Sequence, residues 1–328
     1  MLKRCRVIAV SLACIAILCG CEKSPELDVT IRECAPMPKG GRSCATCFVV
    51  DNEAYVFAGR DSNGTYHNDL WRYNPNTNTW EDLGATPLPA RVNATACVED
   101  GNVYIGLGFN GKYGKDSSYL RDWWSYVPST QQWTRLRDYP NSNTDCATAF
   151  TGKGELYVGY GFSWSYARDM FRYDIATNQW DSIDVGASFL GYPTRSFGGT
   201  GCTCQGRHFM GTGYYRFSLD WWAELVDGTH WERRATVPGK ERTLAATAAT
   251  DNYIYLCGGM HYGGVNTSGA VLQDIRRYNP QTDSWQYVAV MPQGLMNHVC
   301  FVANGQVYFG LGEDENFTTH SQLYRIEE

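Results

Sequence analysis

The sequence has little charge and, beyond its first six residues, no run of basic side chains. Only 19% of its 328 residues are charged, and the formal net charge is −6. Nucleic-acid-binding proteins need a basic surface to neutralise phosphates, so we expect no nucleic-acid partner. Because 43% of the residues are hydrophobic and 14% are aromatic, the chain can form a large packed core, which excludes a disordered protein and a coiled coil.

The sequence also lacks compact catalytic motifs. It contains neither a glycine-rich phosphate loop nor a nucleophile elbow, and its 6 histidines do not have the short-range spacing of metal ligands. We therefore predict no metal and no cofactor. Any functional site has to be assembled from residues that are far apart in the sequence.

A long hydrophobic run occurs only at the start of the chain. Residues 7–18 are apolar and uncharged and follow a basic start. The run is too short to span a bilayer comfortably, which indicates a signal peptide. It ends in Leu-Cys-Gly-Cys at residues 18–21, which resembles the lipobox of bacterial lipoproteins.

The lipobox resemblance implies that residues 1–20 are a lipoprotein signal peptide and that Cys21 is lipidated. Residues 21–25 are then a short tether. The expected location is the bacterial cell envelope, with a lipid anchor on the periplasmic or cell-surface side of the outer membrane. Ordinary signal cleavage, which leaves Cys21 as a plain thiol, is the alternative.

The cysteines do not form an obvious disulfide framework. Of the 13, four lie in the signal or anchor region, and the other nine are an odd number. We interpret these nine mainly as small buried apolar residues. An oxidising compartment leaves one or two disulfides open.

The main feature of the sequence is a repeat of about fifty residues, a period typical of stacked or radial architectures. An aromatic residue stands four positions before a glycine six times, and successive glycines are 46 to 53 residues apart. Downstream, a tyrosine and a tryptophan recur seven residues apart, except that the fourth unit has Glu224 in place of the tyrosine. An aspartate precedes that position by four residues in five units: Asp69, Asp122, Asp169, Asp220 and Asp274.

Each unit has the pattern of four short strands, with small residues in the first, an apolar run closed by glycine in the second, and the tryptophan in the fourth. Four-stranded units repeated radially predict an all-β, six-bladed β-propeller over residues 26–328. The last unit ends before its fourth strand, whereas residues 27–33 alternate like a strand and have no unit of their own. We predict that this N-terminal strand completes the last blade and closes the ring.

The pattern resembles the kelch repeat, in which paired glycines follow the second strand and a tyrosine and a tryptophan follow at a fixed offset. Gly258-Gly259 matches the paired glycines, and other units have a spaced variant such as Gly106-Leu-Gly108. The resemblance covers nearly the whole mature chain. It implies a ligand-binding rim made by the loops that lead into the first strand and the loops between the second and third strands.

These loops are rich in arginines and aromatic residues. Guanidinium groups bind carboxylates through paired hydrogen bonds, and flat rings stack on sugar faces. We therefore predict a glycan or protein ligand at the channel mouth, such as an acidic carbohydrate or an acidic peptide. In the alternative, the arginines pair with a carboxylate or carbonyl of a neighbouring blade. The predicted rim residues are Arg42, Arg60, Arg91, Trp164, Arg195, Tyr215, Arg216, Arg242, His261 and Tyr262.

The recurring aspartates and tryptophans have a structural interpretation. Because they occur once per unit, we expect the aspartates to accept hydrogen bonds within the fold. We expect Trp80 and its equivalents to be core wedges between blades.

Two functions from different classes remain. The first and favoured one is a monomeric, membrane-anchored binding module for a carbohydrate or protein. The second is a sugar mutarotase or epimerase acting on sialic acid or a related sugar, because the chain distantly resembles the sialic acid mutarotases, which are exported bacterial kelch proteins. Galactose oxidase shares the kelch architecture, but that resemblance implies an additional copper domain. We expect the propeller to use the residues that such a domain would need.

Glu313 is the candidate catalytic residue for the second function. The mutarotases' proposed acid/base chemistry uses a glutamate and an arginine in a loop after the second strand. Glu313 has a comparable loop position, but no arginine follows it before Arg325. Groups from separate blades can still meet, so contact between Glu313 and an arginine at the channel mouth is the discriminating observation.

Overall fold

The computed structural model describes residues 27–111, 118–140, 144–152, 154–162, 169–184, 197–262 and 269–328. Within these ranges the regular structure is entirely β, so there is no helix that could cross a membrane. The strands form six four-stranded antiparallel sheets, which are the blades of a propeller, and two short ribbons. The predicted fold class is confirmed.

The strands follow the chain blade by blade, apart from the first, β1 (Thr30–Cys34), which belongs to the sixth blade. The first three blades are β2 (Thr46–Val50), β3 (Glu53–Phe57), β4 (Asp69–Asn74), β5 (Thr79–Ala85); β6 (Thr95–Glu99), β7 (Asn102–Gly106), β8 (Trp123–Val127), β9 (Gln132–Arg135); and β10 (Thr148–Gly152), β11 (Glu155–Gly159), β12 (Met170–Asp174), β13 (Gln179–Ile183).

The fourth and fifth blades each carry one short ribbon between their second and third strands. The fourth consists of β14 (Thr200–Cys204), β15 (Arg207–Gly211), the ribbon β16 (Tyr214–Tyr215) and β17 (Phe217–Ser218), β18 (Trp222–Val226) and β19 (His230–Arg233). The fifth consists of β20 (Ala246–Ala249), β21 (Ile254–Cys257), the ribbon β22 (Met260–His261) and β23 (Ala270–Val271), β24 (Asp274–Asn279) and β25 (Ser284–Val290). The sixth consists of β26 (Val299–Ala303), β27 (Gln306–Gly310) and β28 (Leu323–Glu327), with β1 as its outer strand.

The innermost strands form a closed ring. Each packs against the innermost strands of both neighbouring blades, and β26 of the last blade packs against β2 of the first. Small side chains such as those of Ala246 and Ala248 allow this close approach around one axis.

A ring of left-handed residues precedes the innermost strands. Backbone hydrogen bonds join these residues from blade to blade: the N–H of Asn93 donates to the carbonyl of Cys44 (2.9 Å), and that of Leu244 donates to the carbonyl of Gly198 (2.7 Å). A non-glycine residue in this conformation costs about 1–2 kcal/mol, which the inter-blade hydrogen bonds offset. The six residues, with φ between 51° and 61°, are Cys44, Asn93, Cys146, Gly198, Leu244 and Asn297.

The repeated tyrosine and tryptophan form a clamp between blades. The hydroxyl of Tyr73 donates to Asn78 Oδ1 (2.8 Å), which also accepts the N–H of Ala35 (2.7 Å), while Trp80 Nε1 donates to the carbonyl of Ala35 (2.8 Å). Ala35 follows the outer strand of the sixth blade, so the clamp fixes the linker that joins two blades. Equivalent clamps hold Arg137 through Tyr173, Asn178 and Trp180, and Ala235 through Tyr278, Asp283 and Trp285.

The N-terminal strand closes the ring as predicted. β1 pairs antiparallel with β28 over five residues, with Ile31 opposite Ile326. Ile31 and Val29 also pack against the core shared by the fifth and sixth blades. The outer strand of the last blade is therefore supplied by the start of the propeller.

A chain that begins at residue 36 should be less stable than one that begins at residue 27, because it lacks both β1 and the clamped Ala35. We expect a Tm at least about 5 °C lower, since each kcal/mol corresponds to a few degrees in a domain of this size. Circular-dichroism melting measures this difference. Equal transition temperatures would contradict the closing role of β1.

Candidate functional site

The residue that follows the repeat glycine in each blade occupies one position around the channel. Each forms an isolated β-bridge with the residue just before a left-handed channel residue, as Ser43 does with Arg60 and Met296 with Glu313. We call these six bridged residues the mouth ring: Arg60, Phe109, Phe162, Tyr214, Met260 and Glu313. The ring lies at the end of a central cavity of about 230 Å³ that is lined by the innermost strands.

Glu313 and Arg60 form an ion pair across the seam between the sixth and first blades. Arg60 Nη2 lies 2.5 Å from Glu313 Oε2, and Asn297 Nδ2 donates to Glu313 Oε1 at 2.7 Å. The Glu313 side chain is 2% exposed, whereas that of Arg60 is 34% exposed. The discriminating contact that the sequence left open is therefore present, and the arginine comes from a different blade.

Arg60 is held in place on both sides of its guanidinium. Its Nε donates to Ser43 Oγ at 3.2 Å, while Nη2 faces Glu313. Burial opposes the charge, but the Glu313 carboxylate raises the pKa of Arg60 above its usual value. The charge is thus fixed at the edge of the channel with part of the guanidinium in contact with solvent.

Two copies of one loop carry the two members of the ion pair. In the first, Asp61 Oδ1 accepts the backbone N–H groups of Asn63 and Thr65, and Oδ2 lies 3.1 Å from His67 Nε2. The second has the same three contacts, from Asp314 to Asn316, Thr318 and His320. Because each aspartate is braced in this way, Arg60 and Glu313, which stand just before them, face each other from rigid supports.

The two loops differ at their tips. The first has Gly64, with φ 77°, whereas the second has Phe317 in the left-handed conformation, with φ 60°. Phe317 is 66% exposed. A bulky residue in this conformation is strained, so the loop beside Glu313 presents an aromatic ring to solvent at a cost to the fold.

The opposite side of the mouth ring is aromatic. Phe109 packs 5.1 Å from Tyr119, Tyr119 lies 6.2 Å from Phe162, and Phe162 lies 5.8 Å from Phe197, measured between ring centroids. The second to fourth blades therefore supply an apolar face and the sixth and first blades a charged one. Carbohydrates, which have both apolar faces and polar edges, match such a two-sided site.

Three predicted rim arginines are structural. Arg42, Arg91 and Arg242 are at most 3% exposed. Each guanidinium binds both oxygens of an aspartate and also a backbone carbonyl, as Arg91 does with Asp122 at 2.7 and 2.8 Å and with Leu107 at 2.8 Å.

The sequence left open that these arginines pair with groups of the protein itself, and the structure corrects one detail of that alternative. The aspartate that binds each arginine belongs to the same blade, whereas a neighbouring blade was expected. Arg42 pairs with Asp69 and Arg242 with Asp274 in the same way. Burial opposes ionisation, but the hydrogen bonds from Arg42 hold the pKa of Asp69 below its usual value. For these three aspartates the expected structural role is confirmed.

The other rim candidates that the structure describes belong to the fourth and fifth blades. Arg216 stacks over the ring of Tyr215, at 5.6 Å from its centroid, and His261 Nδ1 lies 3.0 Å from the carbonyl of Glu241. Tyr262 packs against Tyr214 of the mouth ring at 5.5 Å. The other candidates, Trp164 and Arg195 predicted for the rim and Cys21 predicted for the anchor, lie outside the described residues.

Sequence reasoning missed the polar residues of the channel itself. His298 lines the cavity, and neither of its ring nitrogens has a hydrogen-bond partner in the part of the chain that the structure describes. Burial lowers its pKa to about 3, so the ring is neutral. Asn93, Asp145 and Asn297 were missed as well. The only available signal was their fixed distance from the repeat glycine.

The cysteines of the channel are protonated. Burial raises the pKa of Cys44 to about 12 and that of Cys47 to about 11, so neither thiol is a nucleophile at neutral pH. All nine cysteines in the described ranges are free. Those ranges contain no cluster of three or more His, Cys, Asp or Glu residues suited to a metal ion.

Replacing Arg91 by Met should strongly destabilise the protein. It leaves the Asp122 carboxylate buried without its cation, which costs about 3–5 kcal/mol. Adding Asp122→Asn should recover part of this loss. Urea unfolding measures the effect, and Arg121→Met, at an exposed neighbouring position, is the matched control. Unchanged stability together with lost ligand binding would assign Arg91 to the rim instead.

Comparison with known proteins agrees with this architecture. A family model described as the KLHDC2/KLHL20/DRC7 Kelch-repeats domain matches residues 25–213, and one described as the Kelch motif matches residues 241–292. The chain is 36% identical over 109 residues to the N-acetylneuraminate epimerase of Shigella sonnei (strain Ss046) and 33% identical to that of Escherichia coli O157:H7. Each alignment covers 32% of this chain and 27% of the relative, so the chain spans about a quarter of these relatives. With its repeats, closing strand and blades in register, the chain belongs to the kelch-repeat family.

Proposed function

We propose that this protein is a sugar mutarotase or epimerase that acts at the channel mouth on an acidic sugar of the N-acetylneuraminate type. The observation that carries the proposal is the ion pair of Glu313 and Arg60 in the mouth ring. The N-acetylneuraminate epimerases that match part of the chain support the same substrate class. The sequence alone favoured a binding module over an enzyme, and this proposal reverses that preference.

The reaction needs little machinery. A base removes the proton from the anomeric hydroxyl while an acid protonates the ring oxygen, so the bond between the ring oxygen and the anomeric carbon breaks and a carbonyl forms. Rotation about the neighbouring bond and reclosure then give the other anomer. One well-placed base, one acid and a site that holds the sugar are sufficient.

Arg60 is suited to bind the substrate carboxylate. Its guanidinium is partly exposed, and its Nη1 has no partner among the residues that the structure describes. Guanidinium groups hold carboxylates through two parallel hydrogen bonds. A sugar carboxylate that takes over this fork releases Glu313 Oε2 from the ion pair, and Glu313 is the base in this proposal.

Neighbouring residues orient the base and the sugar. Asn297 holds Oε1 of Glu313 at 2.7 Å, which fixes the plane of the carboxylate while Oε2 takes the proton. The partly exposed rings of Phe162 and Phe197 offer an apolar surface on which a pyranose ring stacks.

Glu313→Gln should remove the activity. The amide cannot accept a proton, and we expect acceleration of anomer equilibration to fall at least about 100-fold. Nuclear magnetic resonance of freshly dissolved N-acetylneuraminate measures the rate. Glu315→Gln, an exposed change in the same loop, is the matched control. No acceleration by the unaltered protein with N-acetylneuraminate or common hexoses would refute the proposal.

Ligand binding without turnover is the second candidate. Phe317, strained and 66% exposed beside Glu313, favours it, because an exposed aromatic ring is a typical contact for glycans or proteins. Glycan arrays and a parallel pull-down with residues 22–328 test it. Specific retention that Phe317→Gly abolishes, in a protein that equilibrates no sugar, would favour binding over catalysis.

The cellular setting is part of the proposal. We place the protein at the bacterial cell envelope as a monomer, tethered by a lipid on Cys21, on the basis of the lipobox resemblance at residues 18–21. Labelling of cells with a radioactive fatty acid tests the anchor. Incorporation that Cys21→Ala fails to abolish would refute it.

A further inference from the structure

Asp145 is a buried carboxyl group without a compensating cation. It is 7% exposed, its Oδ2 accepts one hydrogen bond from Asn93 Nδ2 (3.2 Å), and its Oδ1 has no partner among the described residues. The equivalent positions of the other five blades carry uncharged residues: Ser43, Val92, Phe197, Thr243 and Met296.

This placement is costly for the fold. Burial disfavours the charged form and raises the pKa of Asp145 to about 6. Neither a guanidinium nor an ammonium group of the described chain neutralises it. A titratable group that a fold supports at its own expense, beside a cavity, is a candidate for function.

The position of Asp145 mirrors that of Glu313. Asn93 and Asn297, two residues of the left-handed ring, each donate a side-chain hydrogen bond to one of the two carboxyl groups. Asp145 leads into the third blade and Glu313 belongs to the sixth, so the two stand on opposite sides of the ring. Both carboxylates raise the pKa of Cys44, which lines the cavity, after the dominant effect of burial.

The two carboxyl groups differ in their surroundings. Glu313 Oε2 lies 2.5 Å from the guanidinium of Arg60, whereas Asp145 accepts one hydrogen bond from an amide and meets no cation among the described residues. Two carboxyl groups in such different surroundings are the usual arrangement for a base and an acid in one site.

We propose that Asp145 is the general acid that works opposite Glu313 in the reaction, an inference that rests on the proposed function. Asp145 donates its proton to the ring oxygen as the bond from that oxygen to the anomeric carbon breaks, while Glu313 takes the proton of the anomeric hydroxyl. When the ring recloses on the other face, Glu313 returns its proton to the new hydroxyl and Asp145 takes one back. No proton or electron is gained or lost over the cycle.

The groups around Asp145 do not obscure its titration in a pH profile. The titratable neighbours in the described ranges are the thiols of Cys44 and Cys146, and burial raises the pKa of both far enough to keep them neutral. Phe162, its bridge partner, and Val92 carry no charge. A loss of activity around pH 6 therefore reports on Asp145 rather than on these neighbours.

The test is the pH dependence of kcat/KM for N-acetylneuraminate equilibration, measured by nuclear magnetic resonance on the full-length protein. For the unaltered protein we expect kcat/KM to fall about tenfold per pH unit above roughly pH 6, as the acid loses its proton. Asp145→Asn should lower kcat at least about 100-fold and remove this alkaline limb. Asp251→Asn, an exposed aspartate in a turn, should change neither.

A stability measurement distinguishes loss of the acid from misfolding of the Asp145→Asn variant. The folded-state pKa of Asp145 lies above that of an unfolded aspartate, so its stabilising contribution is complete at low pH and is lost as the pH rises through about 6. Asp145→Asn should therefore have a higher Tm than the unaltered protein at pH 8.

The outcomes separate the two proposals. An active protein whose rate and pH profile survive Asp145→Asn would overturn the role of Asp145 and leave the proposed function standing. An unaltered protein that accelerates no anomer equilibration would overturn both. A variant that is inactive, more stable at pH 8 and without the alkaline limb supports Asp145 as the acid, since a merely structural residue would not change the profile.

Discussion

The closure of six inner strands around one axis is the constraint on which the rest of the structure depends. Small residues allow the strands to approach, and the left-handed ring from Cys44 to Asn297 links successive blades through backbone hydrogen bonds. Each of these residues except Gly198 costs conformational energy, yet together they fix where every blade begins. The loops beside them are therefore brought to one mouth, and residues from separate blades become neighbours there.

Repeated residues hold this ring together and leave the unrepeated ones for function. Arginine–aspartate pairs such as Arg91 with Asp122 fix strands within a blade, and clamps such as Tyr73 with Trp80 fix one blade to the next. These interactions recur because the geometry recurs. Arg60, Asp145 and Glu313 occupy equally repeated backbone positions but have no counterpart in the other blades, which marks them as residues that the fold does not require.

The channel contains buried ionisable groups of two kinds, those with compensating partners and those without. Glu313 is buried with a cation and an amide, so its charge is compensated. Asp145 and His298 are buried without compensation, and their pKa values move in the directions that neutralise them. A propeller with many internal hydrogen bonds can tolerate such groups, so one channel contains a carboxyl group that is paired with a cation and another that is not.

The sequence alone determined the number of blades, the order of their strands and the closing role of β1, because each depends on local periodicity and on fixed spacings along the chain. It misassigned Arg42, Arg91 and Arg242 to the rim, because spacing does not reveal which way a side chain points or which carboxylate it meets. Arg60 and Glu313 are 253 residues apart, and only the closure of the ring makes them neighbours. The isolation of Asp145 was equally invisible, since burial without a cation is a property of the three-dimensional surroundings.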